Sequence, residues 1–300
     1  LSGIMEQTVE DPEIILVDSG STDATVAIAS RFPVNIVEIE PDEFTFGRSL
    51  NLGCQAATRD IIAIASAHVY PVYPDWLERL VEPFSDPKVA LAYGRQRGNS
   101  TTRFSEHQHF SKMYPEISNL KQKDPLCNNA NAAIRRSLWE EHPYDESLPG
   151  LEDLEWANWA IEQGYYLAYV AEAEIVHVHE ETPLQVYNRY RREAIALKRM
   201  RPQEPFSPLE FLRLYISNVV SDSWHALREG QFLEVFREIL WFRLMQFWGT
   251  YRGFRHRGPV SSRLRQAFYY PRSLRRTANP KGRAVEPIDY GHAQAKEVER

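Results

Sequence analysis

The sequence predicts an α/β fold: a mostly parallel sheet with helices on both faces, followed by a helical appendage. Three observations carry this. Short apolar runs alternate with amphipathic segments of helix length over the first two-thirds of the chain. The turns between them are rich in helix-capping residues. Strand signals stop near Pro202, where long amphipathic helices begin. Strands separated by helices of about 10–12 residues imply parallel pairing with both faces covered.

The elements follow in order. Residues 13–17 form an apolar run that ends in Asp18, Ser19, Gly20, Ser21 and Thr22, and a helix with Val26, Ile28 and Ala29 inward continues to about Arg31. A strand is expected over 34–39, then a helix over 49–58 with Leu50, Leu52 and Ala56 or Ala57 inward, and a buried strand at Ile61–Ala65. Residues 75–84 read as a helix, 89–93 as a strand, and 173–178 as a later strand. Right-handed crossovers restrict such a chain to a Rossmann-like layer, whose ligands sit outside the carboxyl ends of the strands. Pro208–Arg228 and residues 231–255 read as helices, and the polar stretch beyond Pro271 is expected to be poorly ordered. The expected division is 1–200, 201–271 and 272–300.

Composition excludes several classes. The chain has 300 residues, 43% of them apolar and 25% charged, which is ordinary for a globular protein and unlike a disordered chain or a fibre. Its apolar runs, such as Ile61–Ala65, are far shorter than the roughly 20 residues of a membrane-spanning helix. The net charge of −6 averages two unlike parts: 18 basic against 31 acidic side chains in residues 1–200, and 17 against 10 in residues 201–300. An acidic body repels a nucleic-acid backbone, so no nucleic-acid partner is expected. Cys54 and Cys127 lack metal or redox spacing and read as buried thiols of a reducing compartment.

Four clusters could carry chemistry. Asp18, Ser21 and Asp23 leave a strand and open a helix, where a carboxylate can hold a base or ribose and backbone amides suit a diphosphate. Plain helix capping explains the same residues equally well. His68, in Ser66-Ala67-His68, ends a strand and is either a surface residue, a base or a metal ligand. His177 and His179 end the later strand and are expected on opposite faces, so that one of them joins His68. Imidazole suits manganese, zinc or iron better than calcium. Glu152 and Asp153 enter a helix near Trp156 and Trp159, either as favourable charges at a helix start or as a general base.

Taken together, these residues resemble glycosyltransferase family 2, a family with the GT-A fold, and within it the rhamnosyltransferase-like members. Asp18-Ser-Gly-Ser-Thr-Asp23 is similar to its nucleotide-binding turn, and Phe46-Gly-Arg48-Ser-Leu-Asn51-Leu-Gly53 to its donor-site helix. Ser66-Ala-His68 stands where the family has Asp-x-Asp, the segment from Asn128 to Arg136 resembles its acceptor side, and Glu152-Asp153 its catalytic pair. The resemblance covers about residues 1–200. It implies inverting transfer of a sugar from a nucleotide diphosphate to a hydroxyl of a saccharide or lipid-linked acceptor, in surface polysaccharide or glycolipid synthesis. Asp153 would take the acceptor proton, supported by Glu152. Asp18, Ser21, Asp23, Arg48, Asn51 and Ser66 would bind the donor, and Asn131, Arg135 and Trp156 would line the acceptor side. A divalent cation, Mn or Mg, would sit on His68, one of His177 and His179, and the donor phosphates.

Two departures stand out. Ser66 replaces a carboxylate, and the family's first strand is absent, which predicts a gap between the 13–17 and Ile61–Ala65 strands. Two other readings compete: a nucleotidyltransferase that makes nucleotide sugars, although no Gly-rich phosphate loop is visible, and a non-catalytic sugar-nucleotide-binding relative. The basic end carries Trp224, Trp241, Trp248, Tyr251 and Phe254 among Arg228, Arg237, Arg243, Arg252 and Arg255. This stripe either packs on the body or lies on an anionic membrane, which would place a cytoplasmic protein on the inner face. The arginines of residues 187–193 either reach the donor diphosphate or form a solvated helix face.

Overall fold

The structure is a computed structural model that describes residues 1–40, 43–203, 205–256, 285 and 288–290. After a single turn, α1 (Ser2–Met5), the chain makes a βαβ unit of β1 (Ile14–Asp18), α2 (Thr25–Ala29) and β2 (Val34–Glu38). β1 and β2 are parallel, with Ile14 opposite Val34 and Asp18 opposite Glu38. Helix α3 (Phe46–Ala56) starts three residues before the predicted 49, because the Thr45 side chain caps it by accepting from the Arg48 amide at 3.0 Å.

The remaining strands are β3 (Ile61–Ala65), β4 (Val69–Pro71), β5 (Val89–Arg97), β6 (Asn119–Gln122), β7 (Asn131–Arg135) and β8 (Tyr166–His177). They form one sheet in the order β3-β7-β5-β8-β4, with β6 also paired to β8. β5 and β8 are parallel, and β3 shares their direction; β7, β4 and β6 run against them. Among the described residues β1 pairs only with β2 and β3 only with β7, so a break separates the two sheets where a gap was expected.

Alternation along the strands builds two cores. Leu91, Tyr93, Ile134, Leu167 and Tyr169 face one side, against Phe110, Met113, Trp156 and Ala160. Ala92, Ala133, Ala168 and Ala173 face the other. Their small side chains leave room for Trp76 and Leu80 of α4 (Trp76–Val81) to lie close on the sheet. Gly94 is required where β5 and β8 approach, since a Cβ there would stand 2.0 Å from the Ala173 carbonyl oxygen. A register shift follows immediately, between Gly94 and Gln96. Bulges of this kind re-aim side chains, and Gln96 emerges buried.

Helices α5 (Phe104–Met113), α6 (Arg136–Glu141) and α7 (Glu152–Glu162) flank the sheet. Next come α8 (Pro183–Met200), α9 (Pro208–Arg228) and α10 (Phe232–Phe254). Thr182 with Gln185, and Ser207 with Glu210, form reciprocal capping boxes that fix where α8 and α9 begin. Gly249 and Gly253 of α10 allow backbone-close packing on α8; side chains there would meet the carbonyls of Tyr187 and Arg191 at 2.4 and 2.5 Å.

The aromatic stripe of the basic end divides between two faces. Tyr251 and Phe254 pack with Leu154, Leu197 and Phe206, whereas Trp224 and Trp248 are exposed. Arg243, one of the arginines of that basic end, is buried: its guanidinium donates to both oxygens of Asp222 at 2.7 and 3.1 Å. Two donors of the planar guanidinium and the Ser105 hydroxyl satisfy the buried carboxylate, which is why an arginine is tolerated there. Within the segment expected to be poorly ordered, Ile288 donates its amide to the Val72 carbonyl at 2.8 Å and Tyr290 its hydroxyl to the Pro71 carbonyl. The rest of that expectation lies outside the described residues.

Candidate metal centre and carboxylate pair

β3 and β8 end at the same edge of the sheet, and an amide from Val178 to the His68 carbonyl, at 3.1 Å, holds their extensions together. Three imidazoles gather there. Ring centroids are 4.7 Å apart for His68 and His177, 5.4 Å for His68 and His179, and 4.1 Å for His177 and His179. One ligating atom from each lies within 4.8 Å of the others. The expectation that His177 and His179 point to opposite faces is therefore corrected: strand alternation returns to the same face every second residue. Both rings join His68.

The environment of His68 and His177 favours neutral imidazoles. His177 Nδ1 lies 2.7 Å from Gln96 Oε1, while its Nε2 is buried with no hydrogen-bond partner among the described residues. Burial, and then its two histidine neighbours, push His177 down to about 2. Burial also lowers His68. His179 Nδ1 lies 2.7 Å from Glu106 Oε1. Burial alone would raise Glu106, but His179 and Arg189 outweigh it and hold the carboxyl down at about 2. An orphaned nitrogen facing two further imidazoles suits a divalent cation of borderline softness, so these residues fit the metal that the resemblance implies.

The carboxylate pair lies across the 128–131 loop. Asp153 Oδ2 accepts from the Asn129 amide at 3.1 Å, and Oδ1 from its neighbour Leu154 at 2.8 Å. Glu152 Oε2 is buried with no hydrogen-bond partner among the described residues. Burial, and then Asp153 beside it, push Glu152 up to about 8. Burial raises Asp153 as well, against the opposing amides. Leu151 precedes the pair with φ at 60°, a left-handed conformation uncommon for a branched side chain and often found at functional sites.

The other expected residues fall elsewhere. Asp18 accepts from the amides of Gly20 and Ser21 and from the Ser21 hydroxyl, and Asp23 accepts from the Thr25 amide at 2.9 Å, so each closes its own turn. Arg48 pairs with Glu43 at 2.7 Å and lies 3.6 Å from Glu146. Asn51 spends its amide on Tyr144, Glu146 and Trp139, pinning a loop. Ser66 is half-buried beside the histidine cluster.

Three residues expected on the acceptor side have their polar groups engaged inside the fold. Asn131 is fully buried, accepting from Trp76 Nε1 and donating to the carbonyls of Arg95 and Ala173. Arg135 sits at the far end of β7, opposite Ile61, with its guanidinium on the carbonyls of Phe84, Asp86 and Val89. Trp156 is a core residue whose Nε1 donates to the His142 carbonyl. In each case a polar group on a strand or helix start is consumed by buried backbone that needs a partner. Cys54 is buried as expected, while Cys127 is half-buried and donates to the Asp153 carbonyl.

Residues 187–193 do not form a uniformly solvated face: Arg192 is exposed, whereas Arg189 is enclosed. Arg189 is largely buried between Glu106, at 3.0 Å, and Glu181, at 2.6 Å. Arg192 lies over the Phe46 ring at 4.6 Å, and Glu193 is raised by burial close to Glu152 and Asp153. Sequence reasoning missed Gln96 and Glu106. The one available signal was a polar end to the apolar run Val89-Ala-Leu-Ala-Tyr, and it named no partner.

A layered sheet with its ligating groups at one carboxyl edge is the layout of α/β proteins that bind ligands there. Residues 1–142 match the family described as Glycosyl transferase family 2. Over 202 residues it is 32% identical to the O-antigen chain rhamnosyltransferase RfbN of Salmonella typhimurium, covering 63% of this chain and 64% of that protein. Over 196 residues it is 32% identical to the O-antigen chain rhamnosyltransferase WbaN of Salmonella anatum, with 62% of each chain covered. The chain thus spans less than two-thirds of these relatives. The fold is similar to a mannosyltransferase, PcManGT from Pyrobaculum calidifontis in complex with GDP-Man and Mn2+, with a TM-score of 0.56 at 19% identity over 84% of this chain and 81% of that one. No described helix is long and apolar enough to cross a membrane.

Proposed function

We propose that the protein is an inverting, cation-assisted glycosyltransferase that moves a sugar from a nucleotide diphosphate to a hydroxyl of a surface-polysaccharide acceptor. One observation carries the reading: three imidazoles and a carboxylate pair stand on either side of the 128–131 loop, with Asn128 and Asn129 joined to opposite halves. The family match and the rhamnosyltransferase relatives support the reaction class.

The division of labour follows from the two halves. His68, His177 and His179 would hold a divalent cation, Mn or Mg, which would supply positive charge for the departing diphosphate. Asp153, whose two backbone amides oppose the upward push of burial, would take the acceptor proton. Glu152 would hold the pair's proton, so that its charge does not repel the incoming nucleophile. The burial of both carboxyls keeps water away from the hydroxyl's path. Product analysis tests this: release of nucleoside diphosphate supports it, whereas pyrophosphate points to a nucleotidyltransferase. Donor binding without turnover across an acceptor panel would mark a non-catalytic relative.

A second reading concerns the acceptor's location. One face of α9 exposes Leu209, Leu212, Ile216, Val220, Trp224 and Leu227 at helical spacing, with Arg213 and Arg228 beside them. α10 adds Leu233, Leu244 and Trp248, flanked by Arg237 and Arg252. Apolar area, tryptophan and arginine together suit the interface of an anionic bilayer. We infer that this face rests on the inner membrane surface and presents the site to a lipid-linked acceptor. Sedimentation with anionic liposomes at low and high salt tests it, and absence of binding at low salt overturns it.

A further inference from the structure

The tautomers of His177 and His179 are set by groups outside the histidine cluster, and the chain of hydrogen bonds that sets them can be followed from the backbone. The Ala130 amide is an obligatory donor, and it gives its hydrogen to Asn128 Oδ1 at 2.8 Å. That oxygen also receives Gln96 Nε2 at 3.1 Å. Gln96 therefore turns its amino group to Asn128 and its carbonyl oxygen to His177. Oε1 can only accept, so the hydrogen in the 2.7 Å contact belongs to His177 Nδ1. Nε2 is left with a lone pair, buried and without a partner among the described residues. The same logic applies next door. Glu106 is paired with Arg189 at 3.0 Å, so its carboxylate accepts from His179 Nδ1 at 2.7 Å, and in the neutral ring the lone pair then falls on Nε2.

We propose that Gln96 and Glu106 are positioning residues that hold His177 and His179 in the Nδ1–H tautomer, so that with His68 they form a three-imidazole site able to take a divalent cation before any nucleotide arrives. This rests on the cation reading given above. It goes beyond it in one respect: a site that borrowed its ligands from donor phosphates would bind metal only with the donor, whereas three pre-aimed imidazoles need no nucleotide. Groups that orient a ligating histidine through its second nitrogen commonly contribute about 10–100-fold to metal affinity.

Two measurements on the nucleotide-free protein test the inference. In the first, Co2+ is titrated and followed by visible absorption, for the natural sequence, Gln96→Leu and Gln96→Glu. The natural sequence is expected to bind, Gln96→Leu to bind about 10–100-fold more weakly, and Gln96→Glu, which again offers an oxygen to Nδ1–H, to recover most of that loss. Thermal unfolding of the metal-free variants checks that each folds. In the second, a long-range proton–nitrogen NMR spectrum of the metal-free natural protein reads the tautomers directly, with no substitution. Unprotonated Nε2 in both rings supports the inference. Binding by the natural protein with unchanged affinity in Gln96→Leu, or Nε2–H tautomers, overturns the positioning role alone. No Co2+ binding by the natural protein overturns the cation reading itself.

Discussion

The backbone amide of Asn129 donates to Asp153 over 3.1 Å, while the side chain of its neighbour Asn128 accepts from Gln96, which touches His177. Two consecutive residues thus hold the carboxylate pair and the histidine cluster in fixed relation. Asp153→Asn is expected to lower kcat about 10²–10⁴-fold, the usual contribution of a general base, with donor KM little changed. Steady-state transfer assays check this, and a kcat within tenfold of the natural value would remove Asp153 from the role.

Glu152 predicts a pH signature. Its folded value of about 8 lies above its ordinary 4.5. Between those values the folded protein keeps a proton that the unfolded chain has released. Stability should therefore fall as pH rises through that window, by on the order of 2–4 kcal/mol. Glu152→Gln cannot ionise and should flatten the slope, gaining stability relative to the natural protein at pH 8 more than at pH 5. Urea unfolding at the two pH values measures this, and parallel curves would contradict it.

Arg135 separates structure from catalysis. Arg135→Ala takes a donor from the carbonyls of Phe84, Asp86 and Val89, of which that of Asp86 keeps the Val89 amide, and should destabilise the fold by about 2–4 kcal/mol. Transfer kinetics of the folded fraction should be unchanged. A KM shift for the acceptor without loss of stability would restore Arg135 to the acceptor side.

The exposed stripe of α9 gives a membrane prediction. Ile216→Glu with Val220→Glu places two charges where apolar area meets lipid. Liposome binding should fall about tenfold or more, since each buried apolar side chain contributes about 1.5–3 kcal/mol. The unfolding midpoint should hold, because both residues are exposed. Retained binding would show that the stripe has another use.

His68→Ala should abolish the stabilisation that Mn2+ gives in a thermal-shift assay, because His68 is the one member of the cluster from outside β8 and its extension. An unchanged shift would place the cation elsewhere.

The βα alternation was legible because strand and helix periods are local. Leu91 and Tyr93 announce a buried strand whatever lies next to them, whereas β7 carried no such signal. The short β4 and β6 were invisible, since three or four residues carry no period and exist through pairing with β8. For the site, the residue types at strand ends were readable, whereas their partners were not. Asn131 and Asn129 look alike in sequence. One amide is spent inside the fold on Trp76, and the other residue meets Asp153 through its backbone. Only the start of β7 distinguishes them: Asn131 is its first residue, and Asn129 lies in the loop before it.

The buried Asp222–Arg243 pair reaches further than its own two helices. Asp222 also accepts the Ser105 hydroxyl at 2.7 Å, and Arg243 donates to the Ser105 carbonyl at 3.1 Å. Ser105 is bonded directly to Glu106, which carries His179. The grip that fastens the outer helices therefore closes one peptide bond away from the cluster. A chain cut at residue 200 would lose more than an attachment surface: α5 would lose the clasp that sets its rotation, and the aim of His179 would go with it.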